Sequence, residues 1–225
     1  MLAGIFIGCL TYKPQYGILV PIFLLATGRW RAIASAAITV ALLGALSLGI
    51  FGEQTWQAFF ASIAFTRHVV LEQGGSGFGK LQSAFAAARL WGFSVATSYA
   101  VQGAVSLIAT LVAIWIWRRT RNFELHAAAL ATGVLLMTPY MMDYDLVILA
   151  LPIAWIALDG LRSGFIPWEK SLLVFAWLLP LFARSVATGL LIPVAPLAML
   201  LLLADVKRRA AQESADRSDL ALSAP

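Results

Sequence analysis

The sequence has few charged residues and one cysteine, and both shortages limit the classes of protein to which it can belong. Asp, Glu, Lys and Arg make up 12% of the 225 residues, about half the share in an average soluble domain. Cys9 is the only cysteine, so no internal disulfide can form. Zinc-ligand spacings, a phosphate-binding Gly-rich loop and a nucleophile elbow are also missing from the sequence. The composition excludes a soluble globular domain, and the sequence predicts neither a metal site nor a cofactor.

Hydrophobic segments make up most of the chain. Hydrophobic residues account for 61% of the sequence, and the mean hydropathy is +0.85. A helix that crosses a bilayer needs about 20 mostly apolar residues. The sequence therefore predicts an all-α, polytopic transmembrane helical bundle over residues 1–206, with a long outer connection at about 52–92 and a disordered cytoplasmic tail over 207–225. The predicted apolar segments are 1–12, 16–27, 32–51, 93–117, 127–142, 146–158, 171–183 and 186–204, with Arg184 separating the last two.

The basic residues predict the orientation of these segments. The net charge of +5 is better explained by retention of Lys and Arg in cytoplasmic loops than by nucleic-acid binding. If Arg29 and Arg31 face the cytoplasm, alternation along the chain puts most Lys and Arg on that side. The same alternation places Lys13, the 52–92 connection and the turn at Asp143 together on the outer side. We therefore expect a multi-pass protein of a bacterial inner membrane, with its active face outside.

Lys13 is the most informative basic residue, because it lies between two apolar segments and precedes Pro14. An ionisable group close to hydrocarbon often marks a functional site. Lys13 either binds an anionic group such as a phosphate or extends its amine to the membrane interface from a helix end. Arg67 and His68, in the outer connection, either contact a lipid phosphate or are solvated loop residues.

Asp143 and Asp145 flank Tyr144 at a predicted outer turn. Residues two apart do not share a helix face, so the two carboxylates can act together only if this turn is not helical. Pro139 allows such a turn. The alternatives are a catalytic base, a sugar-hydroxyl or metal site, or a solvated turn in which Asp caps the next helix.

Several short motifs resemble those of the family-87 glycosyltransferases (the DUF2029 group). The most specific are the Lys-Pro-Gln segment with its flanking residues and the Arg-Trp-Arg turn that follows an apolar run. Weaker matches lie in the outer connection and at the later outer turn. The motifs are Thr11–Gly17, Gly28–Ala32, Phe51-Gly52 followed by Trp56, Leu81–Ser83 with Arg89-Leu90, and Met137–Tyr140 leading into Tyr144–Leu146.

The resemblance implies a membrane enzyme of the GT-C type that transfers a sugar, typically mannose, from a polyprenyl-phosphate donor. The acceptor would be a membrane lipid or a glycan on the outer face. Lys13, Gln15, Arg67, His68 and Tyr144 would bind substrate. The family is longer at its N-terminus, where an outer loop carries the acidic residue expected to act as the base, so we expect this chain to lack those helices. The catalytic carboxylate would then come from that missing region or, as the less favoured alternative, would be Asp143 or Asp145.

A different class of function also fits the hydrophobic pattern. A helix broken at Lys13-Pro14 suits a transporter or flippase that binds its substrate at mid-membrane and performs no covalent chemistry. The two halves of the chain show no inverted repeat, which disfavours this alternative. An inactive fragment of the enzyme is a third possibility.

Overall fold

The computed structural model describes residues 1–223, with side chains described for residues 1–215. The chain divides into two compact units, Met1–Gly77 and a second that begins at Phe78. Regular structure in the described residues is helical, apart from an isolated antiparallel bridge between Leu81 and Met142. The prediction of an all-α helical bundle is confirmed. Four helical segments in this part of the chain are long and apolar enough to cross a membrane: Trp30–Glu72, Val95–Arg119, Asp143–Ser163 and Glu169–Leu190.

The N-terminal unit begins with short helices and continues into one long helix. Pro14 occupies the first position of α2, where its missing N–H costs nothing. Gly28 has a positive φ of 66° and forms the turn before the long helix. The helices are α1 (Leu2–Cys9), a 3-10 turn (Leu10–Tyr12), α2 (Pro14–Gly17), α3 (Leu19–Ala26), α4 (Trp30–Phe65) and a π-helix (Thr66–Glu72).

Helix α4 is interrupted at Gly52. This residue has φ 77° and ψ 169°, which are not helical, so α4 consists of two helical segments joined at a kink. Only glycine adopts such a conformation without strain. The sequence placed the end of a membrane span at residue 51, and the kink lies at the next residue. The outer connection expected from 52 onward begins as a helix, which carries the exposed Phe59 and Phe60.

Helices α1 and α4 pack through small residues. Gly4 and Gly8, four residues apart, are both buried on α1, where they face Ser35 and Thr39 of α4. The Ser35 hydroxyl donates to the Met1 carbonyl at 3.0 Å. This small-residue spacing lets two apolar helices approach closely where hydrophobic burial adds little.

The C-terminal unit consists of helices joined by short turns. Ser83, Ser94 and Asn122 each cap the N-terminus of a helix with a side-chain oxygen. The elements are a 3-10 turn (Phe78–Lys80), α5 (Ala84–Leu90), α6 (Val95–Arg119), α7 (Phe123–Met137), a second 3-10 helix (Asp143–Leu149), α8 (Ala150–Ser163), α9 (Glu169–Leu190) and α10 (Val194–Ser223).

Polar contacts define two opposite ends of this unit. At one end Arg184 of α9 pairs with Asp143, and the Trp91 indole donates to the Leu191 carbonyl; we call this the Arg184 end. At the other, Arg209 of α10 pairs with Asp159 and Glu169; we call this the Arg209 end. The alternating membrane topology expected from the charges stays a prediction.

Three boundaries differ from those expected. Helix α7 ends at Met137 rather than 142, because Pro139 prevents its continuation. Helix α9 runs unbroken through Arg184 to Leu190, and the chain reverses instead near Leu191, which adopts a left-handed conformation. The segment 207–225, expected to be a disordered tail, is helical through Ser223, and residues 224 and 225 lie outside the described part of the chain. Arg209 and Ala210 are buried, because ion pairs hold this part of α10 against α8 and α9.

Candidate functional site

Lys13 lies in the turn between the first 3-10 helix and α2. Its backbone is extended (φ −129°, ψ 79°), as expected for a residue that precedes proline. The ammonium nitrogen is 5.8 Å from the centre of the Tyr16 ring, a distance at which a cation is attracted to the ring face. Lys13 and Gln15 are both partly exposed. The turn therefore presents a cation and an amide that a ligand can reach.

An apolar groove of about 580 Å³ adjoins this turn. Thr11 and Pro14, the residues on either side of the Tyr12-Lys13 pair, are part of its lining. The remaining walls come from α1, α3, α4 and the residues that join α2 to α3. None of the lining residues is ionisable: they are Ile7, Gly8, Leu10, Thr11, Pro14, Gly17, Ile18, Pro21, Leu24, Ile33, Ala36, Ala37, Val40 and Ala41. A groove of this chemistry accepts a hydrocarbon chain.

Arg67 and His68 lie on the π-helix and share one carboxylate. Arg67 Nε is 3.6 Å and His68 Nδ1 3.2 Å from the oxygens of Glu72. The Gln73 side-chain nitrogen is 2.9 Å from His68 Nε2. Both basic side chains remain about two-thirds exposed, at 67% and 63%. Glu72 would therefore compete with a phosphate for these two groups, and the competition is weak because the pairs are solvated.

The Asp143-Tyr144-Asp145 turn gives its two carboxylates different environments. Asp145 is buried, and its Oδ2 accepts the Met142 N–H at 3.1 Å, which caps the 3-10 helix. Asp143 is more accessible; its Oδ1 accepts the Tyr144 N–H at 2.9 Å and its Oδ2 is 3.2 Å from Arg184. The Tyr144 side chain is exposed. The cap therefore gives Asp145 a structural role, whereas Asp143 and Tyr144 are accessible enough to contact a ligand.

Two of the motifs quoted from the sequence contact each other beside this turn. Leu81 forms the antiparallel bridge with Met142, and the Gln82 N–H donates to the Met141 carbonyl at 2.7 Å. The Phe85 N–H donates to the Gln102 side-chain oxygen at 3.0 Å, and the Gln102 amide donates to the Leu136 carbonyl at 2.9 Å. Buried side-chain and backbone hydrogen bonds thus fix the segment before Asp143 to α5 and α6.

Two residues at the Arg184 end were not identified from the sequence as site residues. Arg184 was interpreted as a boundary between spans, although an arginine within an apolar run is itself a signal of a site. Tyr140 lies in the loop after α7, where burial, with a smaller contribution from Tyr99, raises its pKa to about 12. Its hydroxyl therefore stays protonated at neutral pH and can donate a hydrogen bond.

The comparisons with known proteins identify the family. A model of glycosyltransferase family 87 matches residues 1–139. The chain belongs to glycosyltransferase family 87. Membership of this family, together with the four apolar helices of membrane-crossing length among the described residues, makes the chain a membrane glycosyltransferase. No curated protein and no solved structure matches the chain.

The family-87 match divides the predicted site residues into two groups. Lys13, Gln15, Arg67 and His68 lie within the matched residues and in the N-terminal unit. The turn at 143–145 follows the last matched residue and lies in the second unit. Within its own unit the structure brings Arg67 and His68 together at Glu72, with Lys13 on a separate turn. The expected convergence of all these residues on one outer surface stays a prediction.

Proposed function

We propose that this family-87 protein transfers a hexose, most simply mannose, from a polyprenyl-phosphate sugar to a lipid or glycan acceptor on the outer face of a bacterial inner membrane. The observation that carries the proposal is the position of Lys13 at an apolar groove. A polyprenyl-phosphate sugar has a long hydrocarbon chain attached to a phosphodiester anion, so it needs these two environments side by side. A water-soluble nucleotide sugar would have no use for such a groove.

Lys13 and Gln15 would bind the donor phosphate in this proposal. An ammonium group is a strong phosphate partner where water is partly excluded, and an amide N–H adds direction. Arg67 and His68 supply further donors once a phosphate displaces Glu72 from them. Tyr144, which exposes its ring, is suited to stacking on a sugar face.

Asp143 is the better candidate of the two carboxylates for the chemical step. It is less buried than Asp145, and only one of its oxygens accepts a backbone N–H of the 3-10 helix, while the other meets the exposed Arg184. As a general base it would accept the proton of the acceptor hydroxyl while that oxygen bonds to the anomeric carbon. The bond from that carbon to the phosphate oxygen breaks, and polyprenyl phosphate leaves as the anion. Asp145 would act by holding the turn.

Transfer assays in membranes test the donor site. Vesicles that contain the full chain receive radiolabelled polyprenyl-phosphate mannose and extracted membrane lipid as acceptor. We expect transfer to fall by at least tenfold in Lys13→Ala, with partial recovery in Lys13→Arg, because the arginine restores the cation. Lys170→Ala, which removes a lysine at the Arg209 end, is the matched control. Transfer by Lys13→Ala equal to that of the control would overturn this role of Lys13. Uptake of donor without transfer by the unsubstituted chain would instead favour a transporter.

A second experiment tests the groove separately from the charge. Gly17 lines the groove, and a Cβ added there meets no atom within 4 Å. Gly17→Leu should therefore fill part of the groove without disturbing the fold. We expect a higher KM for long-chain donors and little change for a short-chain analogue. Gly44→Leu is the control, since Gly44 also has open space around it but does not line the groove. Equal effects on both donors would contradict the assignment of the groove to the hydrocarbon chain.

A further inference from the structure

The Arg209 end contains a buried cluster of charged side chains that the proposed chemistry does not use. The Arg209 side chain is 4% exposed. Its guanidinium pairs with Glu169 at the start of α9 through two nitrogens, and with Asp159 of α8 at 2.6 Å. It also donates to the Ser163 hydroxyl at 3.1 Å and to the Gly164 carbonyl at 3.0 Å. The guanidinium thus connects α10 to the turn between α8 and α9.

Asp205, one helical turn before Arg209, adds a third carboxylate to this cluster. Its side chain is 3% exposed and lies within hydrogen-bonding reach of Glu169. No N–H or O–H donor of the protein reaches its buried Oδ2. Arg208 is 3.9 Å from the other oxygen, but it is half-exposed and makes a weak pair. Three buried carboxylates therefore face one buried guanidinium.

This imbalance requires a bound positive charge. Two carboxylates within hydrogen-bonding reach repel each other when both are ionised, and they attract when one carries a proton. No three His, Cys, Asp or Glu side chains in the described part of the chain are grouped in a way that would hold a metal ion. A proton on Asp205 supplies this positive charge. It removes the excess negative charge, and it donates a hydrogen bond to Glu169.

We infer that Asp205 and Glu169 share one bound proton, and that this proton fastens the C-terminal part of α10 to the turn between α8 and α9. The proton works together with Arg209, which makes the remaining contacts across this junction. Loss of the proton leaves two adjacent buried carboxylates in repulsion, so the contact between α10 and α9 weakens. The cluster is thus a proton-dependent latch at the end of the unit opposite to Asp143.

The direction of the pH dependence follows from the environment of Asp205. Burial raises its pKa to about 7, with Glu169 adding to the rise and Arg209 and Arg208 opposing it. Because the pKa is higher in the latched state than in the free chain, the stabilisation is complete below about pH 4 and is lost as the pH rises to about 7. The other titratable groups on the elements packed here include Asp159 and the Arg162–Glu124 pair, Lys170 over the Phe165 ring, and Lys207 over the Trp115 ring. They also include Glu213, which accepts from Thr120, Arg118 and Arg119 at the end of α6, and His126 of α7.

Hydrogen–deuterium exchange of the full chain in detergent tests the latch. For the unsubstituted protein we expect exchange of α10 amides, corrected for the intrinsic rate, to rise more than tenfold between about pH 5 and pH 7 and then to level off. Asp205→Asn keeps an N–H that can donate to Glu169 but does not titrate in this range. Its exchange should therefore stay flat across the same interval. Glu53→Gln removes an exposed carboxylate elsewhere and should leave the pH dependence unchanged.

The results separate the latch from a purely structural cluster. Flat exchange in the unsubstituted protein overturns the proposal, whatever the variants do. A pH-dependent rise that persists in Asp205→Asn also overturns it, because another group then carries the proton. If Asp205→Asn does not fold, flat exchange in the unsubstituted protein still overturns the proposal. Glu169→Gln, which also keeps a donor at this contact, then replaces Asp205→Asn as the variant whose exchange should stay flat.

Discussion

Replacement of Gly8 by alanine tests the close approach of α1 and α4. An added Cβ would lie 2.5 Å from the Thr39 Cβ and 2.9 Å from the Ala36 carbonyl oxygen. Ordinary contacts of this kind begin near 3.4 Å, and rotation of a side chain moves neither of these atoms. The helices must therefore separate locally by about 1 Å. Overpacking of this size costs about 1–3 kcal/mol.

Gly44→Ala is the matched control for this substitution. Gly44 lies in α4, and a Cβ there meets no atom within 4 Å. Both variants gain the same helix propensity, roughly 0.5–1 kcal/mol, so the difference between them isolates the packing cost. We expect thermal unfolding in detergent to occur several degrees lower for Gly8→Ala than for Gly44→Ala, since about 1 kcal/mol corresponds to 2–4 °C for a chain of this length.

Equal melting temperatures would refute the argument. They would mean that α1 is not held against α4 at Gly8, and that the groove beside Lys13 is not shaped by this packing. A lower melting temperature for Gly4→Ala would add independent support, because a Cβ at that position overlaps the Ser35 hydroxyl and the Ala32 carbonyl.

Three further predictions concern the C-terminal unit. Asp145→Ala removes the acceptor for the Met142 N–H and should cost about 0.5–2 kcal/mol; denaturant titration would show this loss, and unchanged stability would contradict the capping role. Gln102→Leu leaves the Phe85 N–H and the Leu136 carbonyl without their partner and should cost about 2–4 kcal/mol, whereas Gln54→Leu, at an exposed position of α4, should be nearly neutral. The Tyr140 phenol should ionise near pH 12, so its contribution to stability should be lost as the pH rises from about 10 to 12. The phenolate absorbance that appears in this pH range should be absent in Tyr140→Phe. If the absorbance persists in that variant, another tyrosine is responsible.

The sequence predicted the helical segments well where composition alone determines them. Spans such as 93–117 stand out because a bilayer demands a long apolar run, and the structure has α6 at Val95–Arg119. The break near residue 52 was predictable because Gly52 begins a more polar stretch. The prediction was wrong at Arg184, because a charge within an apolar run suggests a loop between two spans. The helix includes Pro180 and continues through Arg184 to Leu190, and it ends before Pro193.

The buried cluster at Arg209 was missed for a different reason. The Lys207-Arg208-Arg209 run has the composition of a solvated tail, and composition dominated the prediction. A helical pattern was nevertheless present: Asp205 and Arg209 are four residues apart, and the apolar Val206 and Ala210 have the same spacing. All four are buried on α10. Partners as distant in sequence as Asp159 cannot be inferred from local pattern, because the pairing depends on how α8 and α10 pack.

The site residues named from the sequence stay predictions, and the sequence did not distinguish the environments of the two carboxylates. Asp143 and Asp145 looked equivalent in the sequence. The structure distinguishes them because one carboxylate caps the 3-10 helix while the other meets Arg184, a residue from a different helix. Lys13 could be singled out because a lysine beside a proline between apolar runs is unusual at membrane depth. The groove beside it depends on the packing of α1, α3 and α4 and has no local sequence signal.

The bridge between Leu81 and Met142 sets an order on biosynthesis. The two bridged residues are separated by about 60 positions, so at 5–20 residues per second the ribosome needs roughly 3–12 s to deliver the second after the first. During that interval α6 and α7 are synthesised while the segment at Leu81 has no backbone partner. The nascent chain therefore completes this part of the fold late, and any factor that delays the folding of α7 prolongs the time for which Leu81 lacks its partner.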